Sequence, residues 1–159
     1  MNIRLEGKRG LVTGGNSGIG AAIALALAEA GAKVAINYMG HPKAADALVK
    51  TIKQKRGEAI SIQADVSDPK AVGKLFRQLD AAWGGIDILI NNAGIDGPSA
   101  IGWKADIIAW RAVIEVNLFG AFYCAREALK RMVPQKSGVV SVSYTHLDVY
   151  KRQALGWPI

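Results

Sequence analysis

A glycine-rich stretch at residues 13–20 has the residue types and spacing to bind a phosphate group through its backbone. It reads Thr-Gly-Gly-Asn-Ser-Gly-Ile-Gly, follows a short apolar run and opens a segment rich in Ala, Ile and Leu. Because Gly14, Gly18 and Gly20 lack a Cβ, backbone N–H groups can approach a pyrophosphate while a helix N-terminus presents its positive dipole end. An ordinary tight strand-to-helix turn is the alternative interpretation of such a glycine pattern.

The apolar periodicity around this stretch predicts five short strands that alternate with four helices. The predicted strands are residues 10–12, 33–37, 58–63, 86–90 and 139–142. The predicted helices are residues 19–30, 42–56, 68–83 and 106–132. Right-handed crossovers turn this order into an α/β fold, a doubly wound parallel sheet of the Rossmann type in three αβα layers. Its ligand crevice is expected at the carboxyl ends of the strands.

The same periodicity predicts which helix faces are buried. The predicted stripe of the first helix is Ile19, Ala22, Ile23, Ala26, Leu27 and Ala30. That of the third helix is Val72, Leu75, Phe76, Leu79 and Trp83, and that of the long fourth helix is Trp110, Val113, Ile114, Leu118, Ala121, Ala125 and Leu129. The single cysteine, Cys124, lies in a helical pattern and is interpreted as a small core residue. No metal site is predicted.

Composition narrows the class of protein. The chain has 159 residues, of which half are hydrophobic, and this predicts one globular domain with a real core. No apolar run reaches the roughly 18 residues of a membrane span, and no signal peptide is evident, so we expect a cytoplasmic protein without a membrane partner. The net charge of +7 is spread along the chain without interleaved aromatic residues, which argues against a nucleic-acid partner.

Three further motifs follow the glycine-rich stretch in a fixed order. They are Asp65-Val66 after the third predicted strand, Asn-Asn-Ala-Gly at residues 91–94 after the fourth, and Asn117 within the long helix. With these motifs the chain resembles the short-chain dehydrogenase/reductase family. Residues 37–42 are also similar to those of family members labelled glucose 1-dehydrogenase or 3-oxoacyl-carrier-protein reductase.

The resemblance implies an NAD(P)-dependent oxidoreductase that interconverts an alcohol and a carbonyl of a small-molecule substrate by hydride transfer. It implies a catalytic role for Asn117, at a helical kink that orders a proton-relay water. It implies that Asp65 accepts a hydrogen bond from the adenine amino group and that Val66 lies against the ring. The implied cofactor-binding residues are Thr13, Gly14, Asn16, Ser17, Gly18, Ile19, Gly20, Asn37, Tyr38, Asp65, Val66, Asn92, Ala93 and Gly94.

The resemblance further implies that the whole protein is a homo-oligomer, a dimer or a tetramer. The alternative from a different functional class is a non-catalytic dinucleotide-binding or interaction protein. Cofactor choice depends on the end of the second strand, where a carboxylate would favour NAD over NADP. Asn37 and Tyr38 stand there instead, with His41 and Lys43 close behind, so NADP is favoured and NAD remains possible.

The family pattern breaks after the fifth predicted strand. The resemblance implies a catalytic serine, a Tyr-x-x-x-Lys helix and two more strands, and alignment puts Tyr144 in the serine position. Residues 143–159 have no helical or strand periodicity and are interpreted as a non-native tail that arose by assembly or adapter error, so the dinucleotide-binding domain is residues 1–142. Tyr150 and Lys151 are adjacent and would not share a helix face. We therefore expect a truncated, inactive cofactor-binding half.

Overall fold

The structure is a computed structural model that describes residues 4–97 and 102–143. Five parallel strands form its sheet: β1 (Arg9–Val12), β2 (Lys33–Tyr38), β3 (Ala59–Gln63), β4 (Ile88–Asn91) and β5 (Val139–Val142). Their order in the sheet is β3-β2-β1-β4-β5, so that β2 and β3 lie on one side of β1 and β4 and β5 lie on the other. Leu11 in β1 pairs with Ala35 in β2 and with Leu89 in β4. The predicted doubly wound parallel sheet is confirmed. Tyr144, Tyr150 and Lys151 lie outside the described residues.

Helices flank the sheet on both faces. They are α1 (Gly18–Glu29), α2 (Pro42–Gln54), α3 (Pro69–Trp83), α4 (Ile107–Ile114) and α5 (Ala121–Met132), with a 3₁₀ turn at Gly102–Lys104. Between α4 and α5, Glu115–Gly120 forms a π-helical turn, so the long fourth helix of the sequence prediction is interrupted. Asp68 caps α3 by accepting a hydrogen bond from Lys70 N–H at 2.8 Å, and Gly84 ends it at φ +75°.

Two hydrophobic clusters cover the two faces of the sheet, because neighbouring residues of each strand point in opposite directions. Leu11 packs with Phe76, Leu79 and Cys124 under α3 and α5, and Val12 packs with Ala24, Ile36 and Ile52 under α1 and α2. Burial raises the pKa of the Cys124 thiol to about 12, as expected for a core cysteine. Along α3 the predicted residues Val72, Leu75, Phe76 and Leu79 are all buried.

The predicted buried face of α1 is partly wrong. Ile19, Ala22 and Ala26 are exposed, whereas Gly20 and Ala24 are fully buried. The prediction placed Ile19 on the buried face because its side chain is large and apolar. The helix instead turns its smallest residues to the sheet, which allows its backbone to lie close to the strands.

The predicted buried face of the long helix is also partly wrong. Ile114, Leu118 and Leu129 are 45–59% exposed. The residues that face the sheet and α3 are Gly120, Cys124, Ala128 and Met132, at a spacing of four. A Cβ on Gly120 would lie 2.8 Å from Val66 Cγ2, so only glycine allows this approach. Small size, rather than hydrophobicity, therefore selects the buried face.

By length and composition alone, the helical stretch Ile107–Met132 could cross a membrane, with a mean hydropathy of 1.4 over its most apolar 18-residue window. Its second half, α5, packs on α3 and β4 and carries Arg131, which forms an ion pair with Asp80 of α3 at 2.6 Å. Within the described residues, α5 is therefore part of a helical layer of the α/β fold.

The β5 edge of the sheet carries exposed apolar side chains. There β5 pairs with β4 alone, and Val139, Val140 and Val142 are 39–59% exposed. Unpaired strand edges with apolar side chains favour association with other chains. Helix α5, which carries the exposed residues Phe122 and Leu129, packs on β4 and β5 beside this edge.

An ion pair joins the amino ends of β1 and β4. The Arg9 guanidinium binds Asp87 through Nε–H at 2.7 Å and Nη2–H at 3.0 Å. It also donates to Trp83 O at the end of α3 and to Gln135 Oε1 before β5. Gln135 in turn donates to Ile86 O at 2.7 Å. This clamp fixes four segments at the end of the sheet opposite to the predicted crevice.

We expect Asp87→Asn to lower the free energy of unfolding by about 2 kcal/mol at pH 7, because it leaves a largely buried guanidinium unpaired. Hydrogen bonding to Arg9 lowers the pKa of Asp87. The stabilisation is therefore complete above the unfolded-state pKa of about 4 and is lost as the pH falls through the folded-state value. Urea unfolding at several pH values should show the difference from the unmodified chain shrinking in acid.

Glu29→Gln is the matched control, since Glu29 pairs with Lys55 at 2.7 Å but both side chains are more than half exposed. Its effect should stay within about 0.5 kcal/mol. Equal losses for the two variants would contradict the assigned role of the clamp.

Candidate functional site

The glycine turn, residues 13–20, is interlocked with the segment that follows β4. Thr13 Oγ1 accepts hydrogen bonds from Asn92 N–H at 2.9 Å and from Ala93 N–H at 3.0 Å. In the other direction, Asn92 Nδ2 donates to Thr13 O and to Gly14 O, each at 3.0 Å. Thr13 is 1% exposed. We refer to these contacts of Thr13, Gly14, Asn92 and Ala93 as the interlock.

Three of the four glycines in the turn, Gly14, Gly18 and Gly20, differ in their surroundings. A Cβ on Gly14 would lie 2.9 Å from Ala93 Cα, and a Cβ on Gly20 would lie 2.4 Å from Asn92 Nδ2. Both positions are therefore glycine because the interlock leaves no room. Gly18 has a φ of +51°, is exposed and would place a Cβ where no described atom lies within 4 Å. Only Gly18 presents an open face from which a ligand can approach the backbone.

Helix α1 begins at this open position. Ser17 is its N-terminal flanking residue in extended conformation, and its side chain makes no capping hydrogen bond. The first N–H groups of a helix have no partner within the helix, so they remain available to water or an anion. Ser17 and Ile19 are both exposed beside Gly18, and Ile19 is 68% exposed. The geometry suits an anion bound at the start of α1.

The end of β2 closes the same crevice from the other side. Asn37 is buried, donates from Nδ2 to Ile62 O and Ala64 O, and accepts from Gly14 N–H at 3.4 Å. Tyr38 is only 9% exposed and belongs to the core under α1 and α2. Both side chains are thus engaged by the protein. The exposed group nearest to the strand end is Met39, at 66% exposure.

Asn16 ties the glycine turn to the loop after β2. Its Nδ2 donates to Gly40 O at 2.9 Å, and the loop then enters α2 through His41 at a φ of +58°. His41 and Lys43 are both exposed at the start of α2. Basic side chains therefore stand at this edge of the crevice, and residues 39–43 contain no carboxylate.

Asp65 lies after β3 and is not a helix cap. Its Oδ1 accepts from Ser67 N–H at 2.9 Å and from Ser67 Oγ–H at 2.7 Å, while Asp68 caps α3. Among the described residues, no donor binds Oδ2 of Asp65, so this oxygen can accept from a ligand. Val66 is 6% exposed and packs on Gly120.

Asn117 lies in the π-helical turn and binds the backbone beyond β4. Its Oδ1 accepts from Ile95 N–H at 2.9 Å, and its Nδ2 donates to Ile95 O at 3.0 Å. Gly94 lies between Ile95 and the interlock and is exposed. The side chain of Asn117 therefore positions the segment that begins with Asn92. π-Helical turns frequently mark functional sites.

Sequence reasoning missed two participants. Ile95 supplies both backbone groups that hold Asn117, and no side-chain pattern indicates such a role. Ser143 was assigned to the predicted tail, but it continues the pairing of β5 and packs with the fold: its N–H donates to Asn91 O at 3.0 Å, and its Oγ donates to Asn92 Oδ1 at 2.9 Å. One feature of the sequence could have indicated a role for Ser143. It stands at the end of a predicted strand, next to the position that the family pattern assigns to a serine.

Comparison with known proteins agrees with this geometry. The profile of the family described as short chain dehydrogenase matches residues 8–146. Versicolorin reductase stcU of Emericella nidulans is 47% identical over 133 residues, which are 82% of this chain and 49% of that protein. The 3-oxoacyl-[acyl-carrier-protein] reductase FabG of Staphylococcus aureus is 40% identical over 133 residues, 84% of this chain and 54% of that protein.

Among solved structures, a short-chain type dehydrogenase/reductase from Mycobacterium marinum superposes with a TM-score of 0.83 at 34% identity, covering 89% of this chain and 55% of that one. The chain thus spans about half the length of the relatives that it matches. From the profile match over most of its length, together with these relatives, the chain belongs to the short-chain dehydrogenase/reductase family.

Proposed function

We propose that this chain is the dinucleotide-binding part of an NAD(P)-dependent oxidoreductase that interconverts an alcohol and a carbonyl. The observation that carries the proposal is the open Gly18 at the uncapped start of α1, in the same turn as the interlock. The names of the relatives support it, since versicolorin reductase and 3-oxoacyl-[acyl-carrier-protein] reductase are both reductases. When bound, the nicotinamide cofactor supplies or accepts the hydride.

The residues present fit such a cofactor. Backbone N–H groups around Ser17, Gly18 and Ile19 would bind the pyrophosphate, and Oδ2 of Asp65 would accept from the adenine amino group. Gly94, which is exposed beyond the interlock, would allow the backbone to approach the adenosine ribose. Asn117 fixes this segment through Ile95, and the same part of the helix would order the water of a proton relay.

The proposal has further parts, which concern the substrate, the location and the partners of the protein. The substrate is a small-molecule alcohol or carbonyl, and the protein acts in the cytoplasm without a nucleic-acid or membrane partner. We also propose that the whole protein forms a homo-oligomer. Exposed apolar side chains on α4, the π-helical turn and α5 support a contact with another chain, among them Ile107, Ile108, Leu118 and Phe122.

Gly18→Val should weaken NADPH binding by at least about tenfold. A valine at a φ of +51° is strained, and its branched side chain would stand over the backbone that binds the pyrophosphate. Titration calorimetry measures the affinity, and thermal unfolding measures the strain.

Gly84→Val is the matched control for this strain, because Gly84 also has a positive φ, +75°, and open space around its Cβ, but lies at the far end of α3. It should lose stability while keeping its NADPH affinity. If both variants bound NADPH like the unmodified chain, the anion site would be assigned to the wrong place.

We propose NADP rather than NAD as the preferred cofactor, since no carboxylate stands at the end of β2 and His41 and Lys43 lie nearby. Tyr38→Asp is a poor test because it would bury a charge in the core. Met39→Asp places the charge on an exposed side chain instead. It should weaken NADPH relative to NADH by on the order of tenfold through repulsion of the 2′-phosphate.

Met39→Asn, which has the same shape without the charge, controls for loss of the methionine side chain. Calorimetry with both nucleotides gives the ratio of affinities. A ratio that is the same for the aspartate and asparagine variants would rule out recognition of a phosphate at this edge.

We further expect the 159-residue chain to bind NADPH without turning over a carbonyl. None of its tyrosines is followed four positions later by a lysine. A positioned acid typically contributes about 10²- to 10⁴-fold to protonation of the developing alkoxide. The measurement is the decrease in NADPH absorbance with sugars, ketones and acyl thioesters as test substrates. The rate of the Gly18→Val variant, which should bind NADPH weakly, is subtracted as the background. Turnover lost on Tyr144→Phe or Tyr150→Phe would contradict this expectation.

A further inference from the structure

Ser143 connects the end of β5 to the interlock. Its N–H donates to Asn91 O at 3.0 Å, one residue beyond the last β4–β5 pair, Asn91 with Val142. Its hydroxyl donates to Asn92 Oδ1 at 2.9 Å. The backbone hydrogen bond fixes the position of Ser143 relative to β4. In that position the hydroxyl can bind the side-chain amide of Asn92.

The amide of Asn92 has one orientation that its neighbours allow. Its Nδ2 faces two carbonyl oxygens, those of Thr13 and Gly14, each at 3.0 Å. A reversed amide would turn Oδ1 toward these two acceptors, so the NH₂ group must lie on this side. Ser143 supplies the donor that Oδ1 then needs on the other side. The orientation of the amide is thus determined from both ends.

The amide occupies the space directly over the glycine turn. A Cβ on Gly20 would lie 2.4 Å from Asn92 Nδ2 and 2.4 Å from Gly14 O. The amide is therefore in contact with the backbone on both sides of Gly18, at the first turn of α1 and at Gly14. Any displacement of the amide changes the arrangement of the N–H groups between these two glycines.

We infer that Ser143 is a positioning residue for the dinucleotide site and acts through the amide of Asn92, an inference that rests on the proposed function. Ser143 follows an exposed strand at the edge of the described sheet. The free energy of global unfolding depends little on such an edge, whereas the local order of the glycine turn depends on each hydrogen bond that holds it. Loss of the hydroxyl should thus weaken binding more than it weakens the fold.

Ser143→Ala tests this inference in the full 159-residue chain. NADPH binding measured by titration calorimetry should weaken about three- to tenfold, the loss expected for one hydrogen bond, with little change in melting temperature. Ser143→Thr keeps the hydroxyl and should restore the affinity. Ser141→Ala is the matched control: the same substitution two residues earlier, within β5, at an exposed serine whose side chain makes no hydrogen bond within residues 4–97 and 102–143.

A double-mutant cycle identifies the route of the effect. In an Asn92→Ala background, Ser143→Ala should cause no further loss of NADPH affinity, because the amide through which it acts is gone. Additive losses would mean that Ser143 acts elsewhere and would overturn the inference. If the alanine variant does not fold, Ser143→Cys preserves the shape with a weaker donor, and an intermediate loss is expected.

The two proposals fail differently. Equal NADPH affinities for Ser143→Ala and Ser141→Ala would overturn the role of Ser143 while leaving the proposed function intact. A melting temperature that falls in Ser143→Ala without any change in affinity would also overturn it, since that is the result of a purely structural role. An unmodified chain that binds neither NADPH nor NADH would overturn both proposals.

Discussion

The structure depends on how two short loops at the carboxyl ends of β1 and β4 satisfy their backbone groups. One hydroxyl, Thr13 Oγ1, accepts two N–H groups, and one amide, on Asn92, donates to two carbonyls of the glycine turn. A buried polar group without a hydrogen-bond partner costs free energy. Where the loops leave the sheet, side-chain hydrogen bonds therefore have to replace those between the strands. Because each partner fixes the other, neither loop can move alone. The glycine turn is thereby tied at Thr13 and Gly14 to the segment after β4, a few residues before the N–H groups around Gly18.

The opposite end of the sheet is held by a different kind of chemistry. There the charged pair of Arg9 and Asp87 joins β1, α3, β4 and the segment before β5. At the crevice the interlock uses only hydroxyl, amide and backbone groups, which carry no net charge. Fixed charges close to Gly18 would attract or repel an anion whatever its shape. With the ion pair at the amino ends, no charged side chain takes part in the interlock beside the start of α1, where the helix dipole is positive.

Much of the fold and part of the site can be predicted from sequence, for reasons that particular residues make clear. The stripe of α3 was predicted correctly because large apolar residues recur at helical spacing, and β5 because a short run of valines follows Pro134 and Gly138. The buried faces of α1 and of the long helix were not, because small residues form part of them, among them Gly20, Gly120 and Ala128. Likewise Asn37 and Tyr38 stand at the position where the family pattern places cofactor recognition, and only the three-dimensional structure shows that both are buried. A motif identifies a position, whereas the packing around it decides which atoms face a ligand.

The π-helical turn shows how the two halves of the crevice come to depend on one helix. Gly120 approaches Val66 after β3, and Asn117 binds Ile95 after β4, so one turn contacts the loops of two strands that β2 and β1 separate in the sheet. The side chain of Asn91 also donates to Ala121 O, at the start of α5. A regular α-helix would turn by 100° at each residue. The extra residue of a π-turn shifts the direction in which the following side chains point. Asn117 can therefore face Ile95, while the residues from Gly120 onward face the sheet at a spacing of four. The irregularity is therefore the feature that lets one helix position both the segment with Asp65 and the segment with Asn92, which the proposed cofactor would have to contact together.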